Sequence, residues 1–193
     1  MTGPGAGRSQ KGPVARGKLA KMRHWRSIRA RGSVELDDFD RRLLDALQTD
    51  SRRTGEELAA VVGLSAAACL RRAQRLREAG VIEREVALLS PDAVGRRLTM
   101  IVLVTLEREQ PDVVDAFKRQ MQQAPEVMQC FYVTGASDFV LLLTADDMAD
   151  YEEFTQRYFF QKSVRRFESF AVMSRVKFGT AVPLADGPAR NNR

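Results

Sequence analysis

Apolar side chains recur at helical spacing in three short runs that begin near residue 36. In the first, Phe39, Leu43, Leu44 and Leu47 fall on one stripe behind Asp37, a carboxylate suited to accept from the first free helical amides, and the run ends near Asp50. Thr54 followed three residues later by Glu57 is a capping box, which predicts a second helix burying Leu58, Val61 and Val62. Gly63 breaks that helix and Leu64 packs into the turn. Ser65 then caps a third helix running to Ala79, with Cys69, Ala73 and Leu76 inward and Gly80 as a left-handed stop. This order predicts a helix-turn-helix. Val81 and Ile82 read as the start of a short β wing, and residues 84–97, with Ser90, Pro91 and Gly95, as a connecting strand and turn.

Beyond residue 97 the periodicity switches. Leu98–Glu107 reads as a strand, Asp112–Gln123 as a helix with Val113, Val114, Phe117 and Met121 inward, and Glu126–Thr134 as a second strand. Gly135–Asp138 makes a turn into a third strand, Phe139–Ala145. A helix over Asp147–Phe160 places Met148, Tyr151, Phe154 and Tyr158 on one face, and Val164–Phe178 reads as a long final strand. The order βαββαβ is ferredoxin-like. The predicted fold class is α+β: a winged helix-turn-helix domain over residues 34–84, a linker strand over 85–97 and a ferredoxin-like effector and oligomerisation domain over 98–184. A basic leader, residues 1–33, precedes them and a flexible tail, residues 185–193, follows.

Two helices cover only one face of a four-stranded sheet, so the other face should be polar in a monomer. It is not. Leu98, Met100, Val102, Val104 and Leu106 point one way while Ile101 and Leu103 point the other, and Phe139, Leu141 and Leu143 oppose Val140 and Leu142. Either a second copy packs on that face by two-fold symmetry, or loops and the leader cover it.

Composition narrows the function. With 193 residues, 44% hydrophobic and 29% charged, the chain has room for one or two small domains. The apolar stretch Leu98–Leu106 is far short of the roughly 20 residues that cross a bilayer, and no apolar signal-peptide core opens the chain. The expected location is the cytoplasm, at the nucleoid, with no membrane partner. The net charge of +6 is concentrated in residues 1–33, which hold nine basic side chains and no acid; the remaining 22 basic and 25 acidic residues carry −3. Such a leader reads as disordered. It either grips DNA phosphates without reading sequence or is dispensable, with translation starting at Met22. Within it Gly12–Lys18 approaches a phosphate-binding loop, but Leu19 replaces the Mg²⁺-coordinating hydroxyl and no strand precedes it. Two cysteines, Cys69 and Cys130, make neither a disulfide framework nor a zinc site, and both read as buried small hydrophobes. The single histidine, His24, lies in the leader. No catalytic residue, metal site or cofactor is expected.

Two groups of residues carry candidate binding chemistry. On the third helix Arg71, Arg72 and Arg75 point outward, with Arg77 one turn on and Arg84 in the expected wing, where a recognition helix would meet a major groove of double-stranded DNA. Ala66, Ala67 and Ala68 would let the helix approach bases closely, with Ser65 near a phosphate. A solvated charged face is the alternative. In the second domain Gly135, Ala136, Ser137 and Asp138, flanked by Tyr132, Thr134, Phe139 and Met148, combine a carboxylate and backbone groups with apolar surface. That mixture suits a zwitterionic amino acid; an ordinary hairpin with a solvated aspartate is the alternative.

These residues resemble the leucine-responsive and asparagine-responsive (Lrp/AsnC) transcription regulators of prokaryotes over about residues 36–184. The resemblance rests on LDDFDRRLLDALQTDSRRT, ELAAVVGLSAAACLRRAQRLREAGVIEREVALLSPDAVG, PEVMQCFYVTGASDFVLLLTADDMADY and VRRFESFAVMSRVKFGTAVPL, in that order. It implies an N-terminal winged helix-turn-helix, a C-terminal ferredoxin-like effector domain, homodimers that in many members assemble into octamers, and DNA binding modulated by small amino acids. By position it implies that Ser65–Arg75 is the recognition helix and that Gly135–Asp138 lies at an effector pocket between dimers, with Gly135, Asp138 and Phe139 keeping the family's Gly, any, any, Asp, aromatic pattern. Phe170, Ala171 and Val172 match last-strand positions that influence effector response. Where members often carry prolines at the start of the recognition helix, this chain has Ala66 and Ala68, and the leader is not a usual family feature. The expected function is a sequence-specific, non-enzymatic transcription regulator whose DNA binding or assembly responds to an amino acid. The alternative is an architectural nucleoid protein without effector response. A third reading, similarity to haem-pathway decarboxylases of the same two-domain plan, meets a chain with no histidine after residue 24.

Overall fold

The computed structural model describes residues 34–184; the leader, its phosphate-loop-like segment and the 185–193 tail lie outside the described residues. The chain divides into two units, one built from residues 34–88 with 176–184 and the other from residues 89–175.

The first unit holds α1 (Asp38–Thr49), α2 (Gly55–Val62) and α3 (Ala66–Glu78). Each start is set by a side chain that satisfies otherwise orphaned amides. The Asp40 amide donates to Asp37 Oδ1 at 2.8 Å while Asp37's own amide donates to Asp40 Oδ2, a capping box made of two aspartates. Thr54 and Glu57 form the expected box on α2, and Ser65 caps α3 through the Ala68 amide. Gly63 ends α2 at φ 78°, a left-handed conformation that a side chain would strain. Leu43, Leu58, Val62, Cys69, Ala73 and Leu76 close the core at 1% exposure or less. Gly55 is buried because α3 passes close over it: a Cβ there would meet Ala66 Cβ at 3.2 Å and Leu70 Cδ1 at 3.3 Å.

No strand forms over residues 81–90. The expected wing fails because the Val81 and Ile82 amides both donate to Leu76 O, closing α3, while their side chains pack on the helical core. A single 3-10 turn, Asp92–Val94, follows.

The second unit is a four-stranded antiparallel sheet with two helices: β1 (Leu98–Leu106), α4 (Pro111–Gln123), β2 (Val127–Tyr132), β3 (Phe139–Ala145), α5 (Met148–Tyr158) and β4 (Val164–Ala171), in the spatial order β2-β3-β1-β4. This is the ferredoxin-like plan. α4 buries Val114, Phe117 and Met121 and α5 buries Tyr151 and Phe154 against Met100, Val102, Val104, Phe139, Leu141 and Leu143. The final strand stops seven residues short of the expected Phe178. Ala171 pairs with Met100 and the Val172 amide reaches Thr99 O, after which β1 offers almost no further backbone. The chain leaves the sheet, and residues 176–184, expected within the ferredoxin-like domain, pack on the helical unit instead. There the Gln48 side chain donates to Val182 O and accepts from the Val182 amide, and Leu184 rests on the core.

Candidate DNA-binding and effector sites

α3 is amphipathic about a row of exposed residues. Ala67, Leu70, Arg71, Gln74 and Glu78 face solvent while Cys69, Ala73 and Leu76 are buried, so the helix presents a side that shares nothing with its core. Ser65 Oγ occupies the N-cap position, and Ala66 and Ala68 are half-buried against the unit rather than wholly outward. Arg71 and Arg84 are exposed. Gln74 donates to Glu78 Oε1 at 2.8 Å along the exposed side. Gln74 was missed in the sequence, although its spacing of seven from Ala67 and three from Arg71 puts it on the same side.

The structure separates Arg72 and Arg75 from Arg71. Arg72 Nη1 lies 2.8 Å from Asp37 Oδ2 and 2.9 Å from Asp40 Oδ1, and its guanidinium sits over the Phe39 ring at 5.5 Å. Its side chain is 29% exposed and turned toward α1, not outward as expected. Hydrogen bonds that it donates to Asp40 and then Asp37 hold the Arg72 guanidinium above its ordinary pKa. Burial works against the Asp37 carboxylate, but the Asp40 amide and Arg72 outweigh it and keep its pKa below the usual value. Arg75 bonds the same buried carboxylate, Nη2 to Asp40 Oδ2 at 2.5 Å, yet its side chain stays 52% exposed. Arg77 pairs with Glu85 at 2.7 Å.

In the sheet unit the ladder between β2 and β3 ends where the Val133 amide donates to Asp138 O, so Thr134, Gly135, Ala136 and Ser137 project beyond it. Asp138 is not a solvated turn residue. It is 6% exposed, its amide donates to Val104 O, and Oδ2 accepts the Leu106 amide at 2.9 Å, so its carboxylate closes the end of β1. Phe139 is fully buried, with ring centroids 4.6 Å from Phe117 and 5.1 Å from Tyr132. Met148 does not join these residues within one chain. It opens α5 beyond Ala145, at the far end of β3 from the turn, and the six rises of about 3.3 Å along that strand separate its two ends by roughly 20 Å.

A cavity of about 420 Å³ lies between α4 and the edge strand β2, lined by Lys118, Met121, Val127, Cys130, Tyr132 and Phe139 among others. It joins two of the expected residues, Tyr132 and Phe139, to a cation. Lys118 Nζ is 5.1 Å from the Tyr132 ring centroid and 3.1 Å from Asp115. Burial pushes the Cys130 thiol up to about 11, with Lys118 acting weakly in the other direction. Lys118 and Cys130 were missed as site residues, because only the pairing of β2 beside α4 brings them to one cavity. Among the described residues no cluster of metal-ligating side chains occurs, and no helix is long and apolar enough to cross a membrane.

The other face of the sheet carries two registered rows. Gln129, Leu142, Ile101 and Phe170 form one, and Phe131, Val140, Leu103 and Glu168 the other. Phe131 and Phe170 are half exposed.

Residues 36–77 match the AsnC-type helix-turn-helix domain and residues 99–182 the Lrp/AsnC ligand binding domain. An HTH-type transcriptional regulator of Sinorhizobium fredii is 52% identical over 153 residues, 79% of this chain and 90% of that protein. The leucine-responsive regulatory protein of Escherichia coli is 34% identical over 148 residues, covering 76% of this chain and 90% of its own. Among solved structures, a transcriptional regulator of Neisseria meningitidis in complex with L-methionine superposes with a TM-score of 0.72 at 33% identity, over 77% of this chain and 97% of that one. The two matched domains, in this order and on this fold, place the chain in the Lrp/AsnC family: it is a DNA-binding transcriptional regulator with an amino acid-binding domain, not an enzyme.

Proposed function

We propose that a small amino acid, held at the β2–β3 end of the sheet unit, shifts the assembly or DNA occupancy of this regulator. The observation that carries this is the cavity beside β2, about 420 Å³, within the range of small-molecule sites. It offers an apolar floor of Met121, Val127 and Phe139 for a side chain and Lys118 for a carboxylate, whose exposed pairing with Asp115 is cheap to exchange. The adjoining Thr134–Ser137 turn supplies backbone groups for the ammonium and carboxylate. Gly135 adds support: its φ is not in the left-handed region and a Cβ there would meet nothing within 4 Å, so none of the described residues requires glycine at this position. A ligand or a second subunit approaching the turn would require it. The L-methionine held by the Neisseria relative gives the first ligand to try.

On the DNA side the reading is that α3 enters the major groove from its Ser65 end, with Ala66, Ala67 and Ala68 near base edges and Arg71, Arg75 and Arg84 on phosphates or bases. The open sheet face pairs two copies by two-fold symmetry, which sets the spacing of two recognition helices, and dimers assemble further into octamers. The working location is the cytoplasm, at the nucleoid.

The test is fluorescence anisotropy on the DNA upstream of its own gene against a scrambled duplex, at physiological salt, with and without L-methionine and a panel of other amino acids. Preference for the upstream sequence that changes with one amino acid, and is lost in Lys118→Gln, supports the reading. Equal binding to both duplexes, insensitive to every amino acid, replaces it with the architectural alternative.

A further inference from the structure

Asp40 is a charged side chain at 1% exposure inside the helix-turn-helix, and both of its oxygens are spoken for. Oδ1 accepts from Arg72 at 2.9 Å and Oδ2 from Arg75 at 2.5 Å. Burying a carboxylate this deeply is costly unless it is paired, and two guanidiniums supply the pairing. The two arginines stand differently. Arg72 is largely enclosed and shares itself between Asp37 and Asp40, whereas Arg75 is half exposed and bonds Asp40 through Nη2. A guanidinium carries five N–H donors in a rigid plane, so fixing one nitrogen on a buried acceptor fixes the direction of the rest.

We propose that Asp40 is a positioning residue for DNA binding: from the core it aims the Arg75 guanidinium at a phosphate beside α3, while Arg72 locks α3 to α1 through the same carboxylate. This rests on the reading of α3 as the DNA-facing helix. Arg71 and Arg75 then have different roles, since among the described residues Arg71 has no such anchor and Arg75 arrives at the backbone already oriented. Orientation in advance spares the side-chain entropy that a free arginine loses on binding. It also keeps the acid beneath the helix away from an approaching phosphate: the Asp40 carboxylate is shielded on the inside behind Arg72 and Arg75.

The experiment is DNA binding by the full chain, measured against salt, for Arg75→Gln, Arg75→Lys, Asp40→Asn and the double variant Asp40→Asn/Arg75→Gln, with Arg71→Gln as reference. Folding of each is checked by circular dichroism. Arg75→Gln is expected to weaken binding about tenfold and lower the salt slope by about 0.9, one phosphate's share. Arg75→Lys keeps the charge and hence the slope, but loses most of the affinity because a lysine has no fork to be aimed. Asp40→Asn weakens binding several-fold, and adding it to Arg75→Gln costs nothing more, the mark of one residue acting through the other. Additive losses show a general structural role for Asp40 and overturn the proposal, as does tighter binding by Asp40→Asn, which would make Asp40 a competitor of DNA. If Asp40→Asn does not fold, Arg75→Lys at its half-exposed position decides, and wild-type affinity there overturns the proposal. Weakening by Arg71→Gln with none by Arg75→Gln leaves the DNA face intact and removes only the Asp40 relay; no effect of either removes both.

Discussion

Asp138 shows how a residue's chemistry can be seen in sequence while its role is not. A carboxylate in a Gly-Ala-Ser-Asp turn looks solvated, yet this one turns back to take the Leu106 amide at the end of β1. Asp138→Ala leaves that amide buried without an acceptor and should destabilise the sheet unit by about 1–3 kcal/mol, while Asp138→Asn, which keeps an acceptor, should lose less. Chemical denaturation of both variants checks the order. Cys130 yields a pH prediction. Burial raises its thiol from the ordinary value near 9 to about 11, so the folded state holds that proton more tightly than the unfolded one. Folding stability from this group is therefore complete below about 9 and is lost as pH climbs toward 11. At neutral pH, alkylation of the native protein should be slow at Cys130 and at the fully buried Cys69, and fast in denaturant; peptide mapping after labelling reads both.

Elements follow from local signals as far as their hydrogen bonds stay local. Asp37, Thr54 and Ser65 cap three helices from within the sequence window that predicts them. Strand ends depend instead on a partner. β4 stops at Ala171 because β1 has run out, and no wing forms because the Val81 and Ile82 amides are already taken by Leu76 O. Helix packing adds a further demand at Gly55, where the approach of Ala66 and Leu70 leaves little room for a side chain. Gly55→Val should force α2 and α3 apart and destabilise the helical unit by about 1–3 kcal/mol, visible as an earlier thermal transition and weaker DNA binding. Its effect is separable from Asp138→Ala, since each variant perturbs a different unit.

For the whole molecule the proposed pairing of two copies rests on the open sheet face. Leu142 and Ile101 stand opposite each other on it and Phe170 completes the row, a surface that water does not favour. Leu142→Lys places a charge in the middle of that row without touching the buried face, where Leu141 and Leu143 lie. The variant should keep its circular dichroism and sediment as a smaller species than wild type, with upstream-DNA binding weakened because two half-sites are no longer held by one particle. Unchanged sedimentation would remove this face from the proposed pairing. In the same way, the placement of Met148 at the far end of β3 means that it can meet the Gly135 turn only across two subunits.

By itself the sequence determined the three capped helices, the βαββαβ order and the alternation that gives β1 and β3 one buried and one open face, because caps and periodicity act over three to eight residues. It also offered α3, and the Gly135–Asp138 turn with Tyr132, Thr134, Phe139 and Met148, as candidates for binding chemistry. The tertiary structure alone decided which way those side chains turn: Arg72 inward to Asp37 and Asp40, Asp138 onto Leu106, Lys118 and Cys130 to one cavity, and Val182 onto Gln48. Each of these links residues from 12 to more than 130 positions apart, and no local propensity records which of several possible partners a polar group will meet once its backbone neighbours have paired.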